Sequence, residues 1–170
     1  MGEGPSARKT VKLRSFSRSL PMSLLLAREA VMQKFRQPLR RFGTTEQQWR
    51  VLRALSAVEA IEITELAKAT GLLSPSLSRI LKDLEERGQI VRIPVKQDLR
   101  RAEISITPQG LLLIDSMAPY SEGIYGQITE AFGQERLDLL QKLLRELVEV
   151  AENLPPPPLP DEDASRIGKD

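Results

Sequence analysis

Residues 63–92 read ITELAKATGLLSPSLSRILKDLEERGQIVR, and this stretch decides the fold. Thr64 is placed to cap a short helix over residues 65–70, because a side-chain hydroxyl can accept one of the backbone N–H groups a helix start leaves free. Gly71 then allows the left-handed backbone that ends that helix. Ser74 caps a second helix, with Pro75 at the favoured first helical position. This helix runs to Arg87 and stops at Gly88. Within it Leu77, Ile80, Leu81 and Leu84 recur at helical spacing and turn to a core. Ser76, Ser78, Arg79 and Lys82 are left on the outer face.

Working outward, residues 89–95 and 102–107 are short, β-branched and alternating, with polar residues 96–101 between them. They read as a β-hairpin whose tip carries Lys96, Arg100 and Arg101. Upstream, Thr45-x-x-Gln48 is a capping box that starts a helix with Trp49, Leu52 and Leu55 facing inward. Ile61 and Ile63 alternate with Glu62, which reads as a short strand. Before the box, Leu24, Arg28, Val31, Phe35, Pro38 and Phe42 follow alternating steps of four and three, one face of a helix over residues 21–41. Pro38 is expected to kink that helix or end it early. Downstream, Thr107 caps a long helix with Pro108 at its start and an expected bend at Pro119. Gly133 separates it from a last helix, where Leu137, Leu140, Leu144, Leu147 and Ala151 form a stripe widened by Leu139, Leu143 and Val150.

The ends differ in kind. Residues 1–18 mix Ser, Gly and basic residues without periodicity and read as a flexible basic arm. Residues 155–170 open on Pro155, Pro156, Pro157 and Pro158 and turn acidic at Asp161, Glu162 and Asp163, an extended solvated tail. The fold class is mainly α, an α+β winged helix-turn-helix over residues 45–107. Helices at 20–44 and 108–154 flank it.

Composition narrows the chemistry. The 170 residues contain no cysteine and no histidine. That removes disulfide scaffolds, thiol redox switches, Cys/His zinc sites and His-dependent nucleophilic catalysis. The lack of cysteine fits the cytoplasm, and no signal peptide is read at the basic start. No apolar run approaches the roughly 20 residues of a membrane span. The net charge of +2 hides an asymmetry. Residues 1–44 hold ten Lys/Arg and two acids, and residues 74–101 seven Lys/Arg and four acids; residues 111–154 hold three basic residues and eight acids. A chain basic in its first half and acidic in its last third suits a polyanion on one face only.

Helix, short turn, helix and basic hairpin, in that order, form a reading head for double-stranded DNA. The first helix packs across the second and sets its angle, and the second offers its outer face to the major groove, which admits one helix. Small hydroxyls let the backbone approach phosphates and base edges. Arg79 can make a bidentate contact to guanine, and Lys82 can reach a phosphate. An arginine from the hairpin tip can enter a narrow minor groove. Each residue alone is consistent with an ordinary solvated helix face; the combination with turn and hairpin is what points to DNA.

The segments TTEQQWRVLRAL (44–55), ITELAKATGLLSPSLSRILKDLEERGQIVR (63–92) and DLRRAEISITPQG (98–110) resemble the MarR family of bacterial transcription regulators. The most specific part is Asp98-x-Arg100-Arg101 followed by an alternating strand to Thr107 and Gly110. SLLLAREAVMQKFRQPLRRF (23–42) with TEQQWR is most similar to regulators of homoprotocatechuate (4-hydroxyphenylacetate) degradation. The resemblance covers about residues 20–152. It implies a homodimer held by interlocked terminal helices, two recognition helices in successive major grooves of a pseudo-palindromic operator, and repression relieved by small phenolic or aromatic acids. By position, Arg100 resembles the wing arginine that enters the minor groove and Asp98 the carboxylate that orients it. The DNA-facing set is then Ser74, Pro75, Ser76, Ser78, Arg79, Lys82, Lys96, Asp98, Arg100 and Arg101. The cysteine-based peroxide sensing of some members is impossible here.

The last helix has an apolar face too wide for one small winged helix, which favours a homodimer, although folding back on the first helix would satisfy the pattern too. Arg28 stands out on the apolar stripe between Leu24 and Val31, where a buried guanidinium needs an anionic partner. One reading is an ion pair with an acid of the final helices or of a second subunit. The other is that Arg28 binds the carboxylate of an aromatic acid, with Trp49 as pocket wall, while plain core packing accounts for Trp49 equally well. No P-loop, G-x-S-x-G or metal cluster is present, so no cofactor and no catalysis are expected. The alternative is a protein-interaction winged helix without DNA or ligand sensing; the basic residues at 96, 100 and 101 argue against it, and a flat salt response on heparin would favour it.

Overall fold

A computed structural model describes residues 15–95 and 98–156. The elements are a single 3-10 turn at Phe16–Arg18, then α1 (Leu20–Arg41), α2 (Glu46–Leu55), β1 (Ile61–Glu62), α3 (Ile63–Thr70), α4 (Ser74–Glu86), β2 (Ile90–Val95), β3 (Asp98–Ile106), α5 (Pro108–Phe132) and α6 (Gln134–Asn153). The chain divides into two compact units, Met1–Ile124 and Tyr125–Asp170, with the boundary inside α5. The chain is a winged helix-turn-helix, helix-rich with one small antiparallel sheet.

In the first unit, α2 starts on the capping box as its sequence dictates. Thr45 Oγ1 accepts from Gln48 N–H at 3.2 Å, and Gln48 Oε1 accepts from Thr45 N–H at 2.8 Å. Trp49, Leu52 and Leu55 are buried, together with Phe35 and Leu39 of α1, Leu66 of α3 and Leu77, Leu81 and Leu84 of α4. Ile90, Ile104, Ile114 and Met117 complete this core. Phe42 and Tyr120 meet edge to face with ring centroids 5.6 Å apart, packing the end of α1 against α5.

The strand order is β1-β3-β2, with Ile61 opposite Ile104 and Ile90 opposite Ile106. The hairpin springs from a tight corner. Thr107 Oγ1 donates to Gly88 O at 2.6 Å and accepts from Gly110 N–H at 3.2 Å, while Thr107 N–H donates to Gln89 O at 3.0 Å. Thr107 therefore caps α5 as expected.

Several local expectations are corrected. Pro38 does not end α1 early; the helix continues to Arg41. Thr64 does not cap α3, because β1 feeds directly into the helix, Ile63 is already helical and the cap position falls on Glu62. Ser74 is likewise the first residue of α4 rather than its cap: Leu77 N–H bonds to Leu73 O at 3.0 Å, which makes Leu73 the cap residue. The strand expected at Ile61–Ile63 is confined to Ile61 and Glu62. The hairpin ladder reaches Val95 opposite Asp98, so Asp98, Arg100 and Arg101 lie along β3 rather than in a long tip. The ladder is made by backbone groups, so side-chain polarity alone overstated the loop. At the N-terminal end, residues 16–18 of the expected arm form the 3-10 turn; the rest of that arm before residue 15, and the tail from residue 157, lie outside the described residues.

The second unit contains the end of α5, Gly133 with φ +93° at the break, and α6. In α6 no residue is buried; Leu139, Leu140, Leu143, Leu144, Val148 and Val150 are exposed, and Leu137 and Leu147 are half-buried.

Candidate nucleic-acid interface

The site is built around α4. Its inner face is fixed by Leu77, Leu81 and Leu84, which are fully buried, and this sets which residues turn outward. Ser74, Pro75, Ser76, Ser78, Arg79 and Lys82 are all exposed on α4. Gly71, at φ +62°, closes α3 in the left-handed conformation and turns the chain toward α4. Leu73, at the cap position, contributes no capping side chain and is itself exposed. The free N–H groups of the first turn are therefore left for solvent or an anion.

Three polar ties hold the ends of the helix-turn-helix. Arg50 of α2 donates from Nη1 to Thr70 O at 3.0 Å, pinning the last residue of α3. At the other end, Gln48 Nε2 donates to Asp83 Oδ2 at 2.5 Å, and Arg87 Nη1 donates to Gly43 O at 2.9 Å. Arg92 Nε, on β2, donates to Glu85 Oε2 at 3.0 Å and joins the hairpin to α4. Lys82 lies 3.8 Å from Glu86, an exposed pair of little energetic weight that leaves its ammonium exchangeable. On α3, Lys68 donates to Glu65 at 2.9 Å, and that bond raises the ammonium pKa above its ordinary value.

Of the expected wing residues, Lys96 lies outside the described residues. Asp98, Arg100 and Arg101 are on β3, but their side chains also lie outside what is described. Of the expected ligand pair, Arg28 and Trp49, Arg28 does not line the pocket beside Trp49. Arg28 is 46% exposed and ion-paired with Glu46, the first residue of α2. Its anionic partner within the chain is therefore on α2, because α1 runs beside the start of that helix. Trp49 is buried and lines a small pocket with Arg53, Ile114, Ala118, Ser121 and Glu122. Arg53 went unremarked in the sequence; its position four residues after Trp49, one helical turn along the same face, was the available signal.

A buried core behind an exposed, hydroxyl- and cation-bearing second helix, followed by an antiparallel wing, defines a winged helix-turn-helix regulator that binds DNA. A profile of the MarR family matches residues 42–101. The HTH-type transcriptional regulator FarR of Neisseria gonorrhoeae is 35% identical over 80% of this chain and 93% of its own length. The homoprotocatechuate degradative operon repressor of Escherichia coli is 37% identical over 76% of this chain and 88% of its own. A crystal structure of NadR in complex with 4-hydroxyphenylacetate superposes with a TM-score of 0.72 and 35% identity, covering 81% of this chain and 97% of that one. The chain belongs to the MarR family of transcriptional regulators. These relatives are regulators and not enzymes. Among the described residues, no helix is long and apolar enough to cross a membrane.

Proposed function

We propose that this regulator represses an aromatic-acid catabolic operon, binding a pseudo-palindromic operator as a homodimer and leaving it when a small phenolic acid binds. The observation that carries the reading is the outer face of α4. It presents Ser76, Ser78, Arg79 and Lys82 without apolar cover, while the opposite face is locked into the core. Arg79 is the base-reading residue, bidentate to guanine. Lys82 and the exposed first turn at Ser74 and Pro75 contact phosphate. Lys96, Arg100 and Arg101 supply the wing contacts, with Asp98 orienting Arg100. A dimer places two such helices roughly 34–36 Å apart, one turn of duplex.

The effector is a small aromatic acid such as 4-hydroxyphenylacetate or homoprotocatechuate. Support comes from the relatives: one is a homoprotocatechuate degradative operon repressor, and NadR forms a complex with 4-hydroxyphenylacetate. In this reading Trp49 is an aromatic wall, and the effector carboxylate exchanges with Glu46 on Arg28. Binding there releases DNA only through its different affinity for the two spacings of the recognition helices.

The test is selection of bound duplex from a random pool, repeated with 4-hydroxyphenylacetate present. Enrichment of an inverted repeat that the acid abolishes is the expected result. Failure to enrich any sequence overturns the DNA reading, and enrichment indifferent to aromatic acids overturns the effector.

A further inference from the structure

Asp83 and Arg79 lie four residues apart on α4, a spacing at which an arginine and a carboxylate are neighbours on the helix surface. Yet among the described residues Arg79 makes no ion pair. Asp83 is already taken on both oxygens. Its Oδ2 accepts from Gln48 Nε2 at 2.5 Å and lies 2.9 Å from Arg87 Nε in an ion pair, and its Oδ1 accepts from Arg87 Nη2 at 3.3 Å. The two donors are themselves anchored outside α4. Gln48 is only 7% exposed, and its Oε1 is committed to the α2 cap through Thr45 N–H. Arg87 reaches the turn after α1 through Gly43 O. A buried amide with both ends engaged is a fixed donor, since moving it would strand a polar group.

We propose that Gln48 and Arg87 are positioning residues for DNA reading: they hold the Asp83 carboxylate away from Arg79 and keep that guanidinium free for the duplex. This rests on the reading of α4 as the DNA-facing helix. Were Asp83 released, it would pair with Arg79 on the same flank. That would cancel one cation of the reading face and set a negative charge near the phosphates.

Gln48→Glu tests this with little disturbance, because glutamate serves the capping box as well as glutamine does while losing the Nε2 donor. Repelled by Glu at 48, Asp83 turns to Arg79. Asp83→Asn in that background restores a donor and acceptor pair in reverse and leaves no carboxylate to capture Arg79. Fluorescence anisotropy is read with the duplex enriched by the wild-type chain, over a salt series. The expected result is about tenfold weaker binding for Q48E, with preference relaxed at the base position Arg79 reads and, from the negative charge brought to the reading face, a slope of log Kd against log salt smaller by about one. The Q48E/D83N chain recovers to within about threefold, with its slope restored. Arg87→Lys keeps the charge but not the side-on pair, and moves both readouts in the Q48E direction. A role confined to stability would shift the melting temperature and leave the salt slope alone. Wild-type affinity and slope in Q48E, or no recovery in the double variant, overturns the proposal. A wild-type chain that binds no duplex instead removes the DNA reading on which it rests.

Discussion

Arg28, in α1, is ion-paired with Glu46, the first residue of α2, and Glu46 also lies 3.3 Å from Arg50, which holds the last carbonyl of α3. One carboxylate thus links α1 to the turn that precedes the recognition helix. Arg28 is nearly half exposed, so the pair itself adds about 1 kcal/mol or less. Arg28→Ala is therefore expected to move the melting temperature by about 4 °C at most. If an effector carboxylate exchanges with Glu46, the same change raises the 4-hydroxyphenylacetate concentration needed for DNA release by about tenfold or more. Release at the wild-type concentration takes Arg28 out of the effector site, and Arg53→Ala becomes the variant to titrate.

Gly110 is a packing requirement rather than a hinge. A Cβ there would lie 2.3 Å from Gln89 O and 2.7 Å from Ile106 Cγ1, at the corner where α5 starts against the base of the wing. Alanine normally gains about 1 kcal/mol over glycine inside a helix. Here the backbone of residue 89 must move, and overpacking of this kind costs about 1–3 kcal/mol. Gly110→Ala should lower the urea midpoint at unchanged slope. A midpoint equal to or above the wild type would show that the corner relaxes freely.

The parts of the fold legible in sequence were those whose signals lie within a few residues. The capping box needs only Thr45 and Gln48, the glycines at 71, 88 and 133 mark backbone with positive φ, and the apolar spacing of α4 separates its two faces unaided. Helix starts were misread by a residue or two at Thr64 and Ser74, because a preceding extended residue can take the cap position whatever its side chain. Contacts between distant residues left no local trace. Gln48 and Asp83 are 35 positions apart, and nothing in either neighbourhood announces the other. Periodicity places Arg28 on the apolar stripe of α1 but leaves its anionic partner open between the final helices and a second subunit, whereas proximity of α1 to the α2 cap supplies Glu46. The outward residues of α4 were legible because periodicity alone assigns them once Leu77, Leu81 and Leu84 are buried.

Arg79 and Lys82 should separate by kind of contact. Arg79→Ala removes a bidentate base contact worth about 1–3 kcal/mol and relaxes sequence preference at one position of the selected site. Lys82→Ala removes a phosphate contact, so it weakens binding about equally across sequences and reduces the salt slope by about one. Competition assays with a panel of single-base variants measure both. If Arg79→Ala weakens every variant equally, Arg79 is a phosphate contact and the base reading lies elsewhere on α4.

The apolar face of α6 predicts the assembly. Leu139, Leu140, Leu143 and Leu144 are exposed in the single chain, and no residue of α6 is buried. A contiguous leucine face of this kind is rare on a soluble monomer and is ordinarily covered by a partner. A second copy covers it with an identical face, and twofold pairing would also match an inverted-repeat operator. Sedimentation should therefore report a dimer at micromolar concentration. Leu143→Asp with Leu144→Asp places two charges in that face, which shifts the species to monomer and weakens operator binding sharply while the core around α4 stays folded. A wild-type chain that sediments as a monomer, or a doubly substituted chain that remains dimeric, would show that α6 is not the contact that brings two reading heads together.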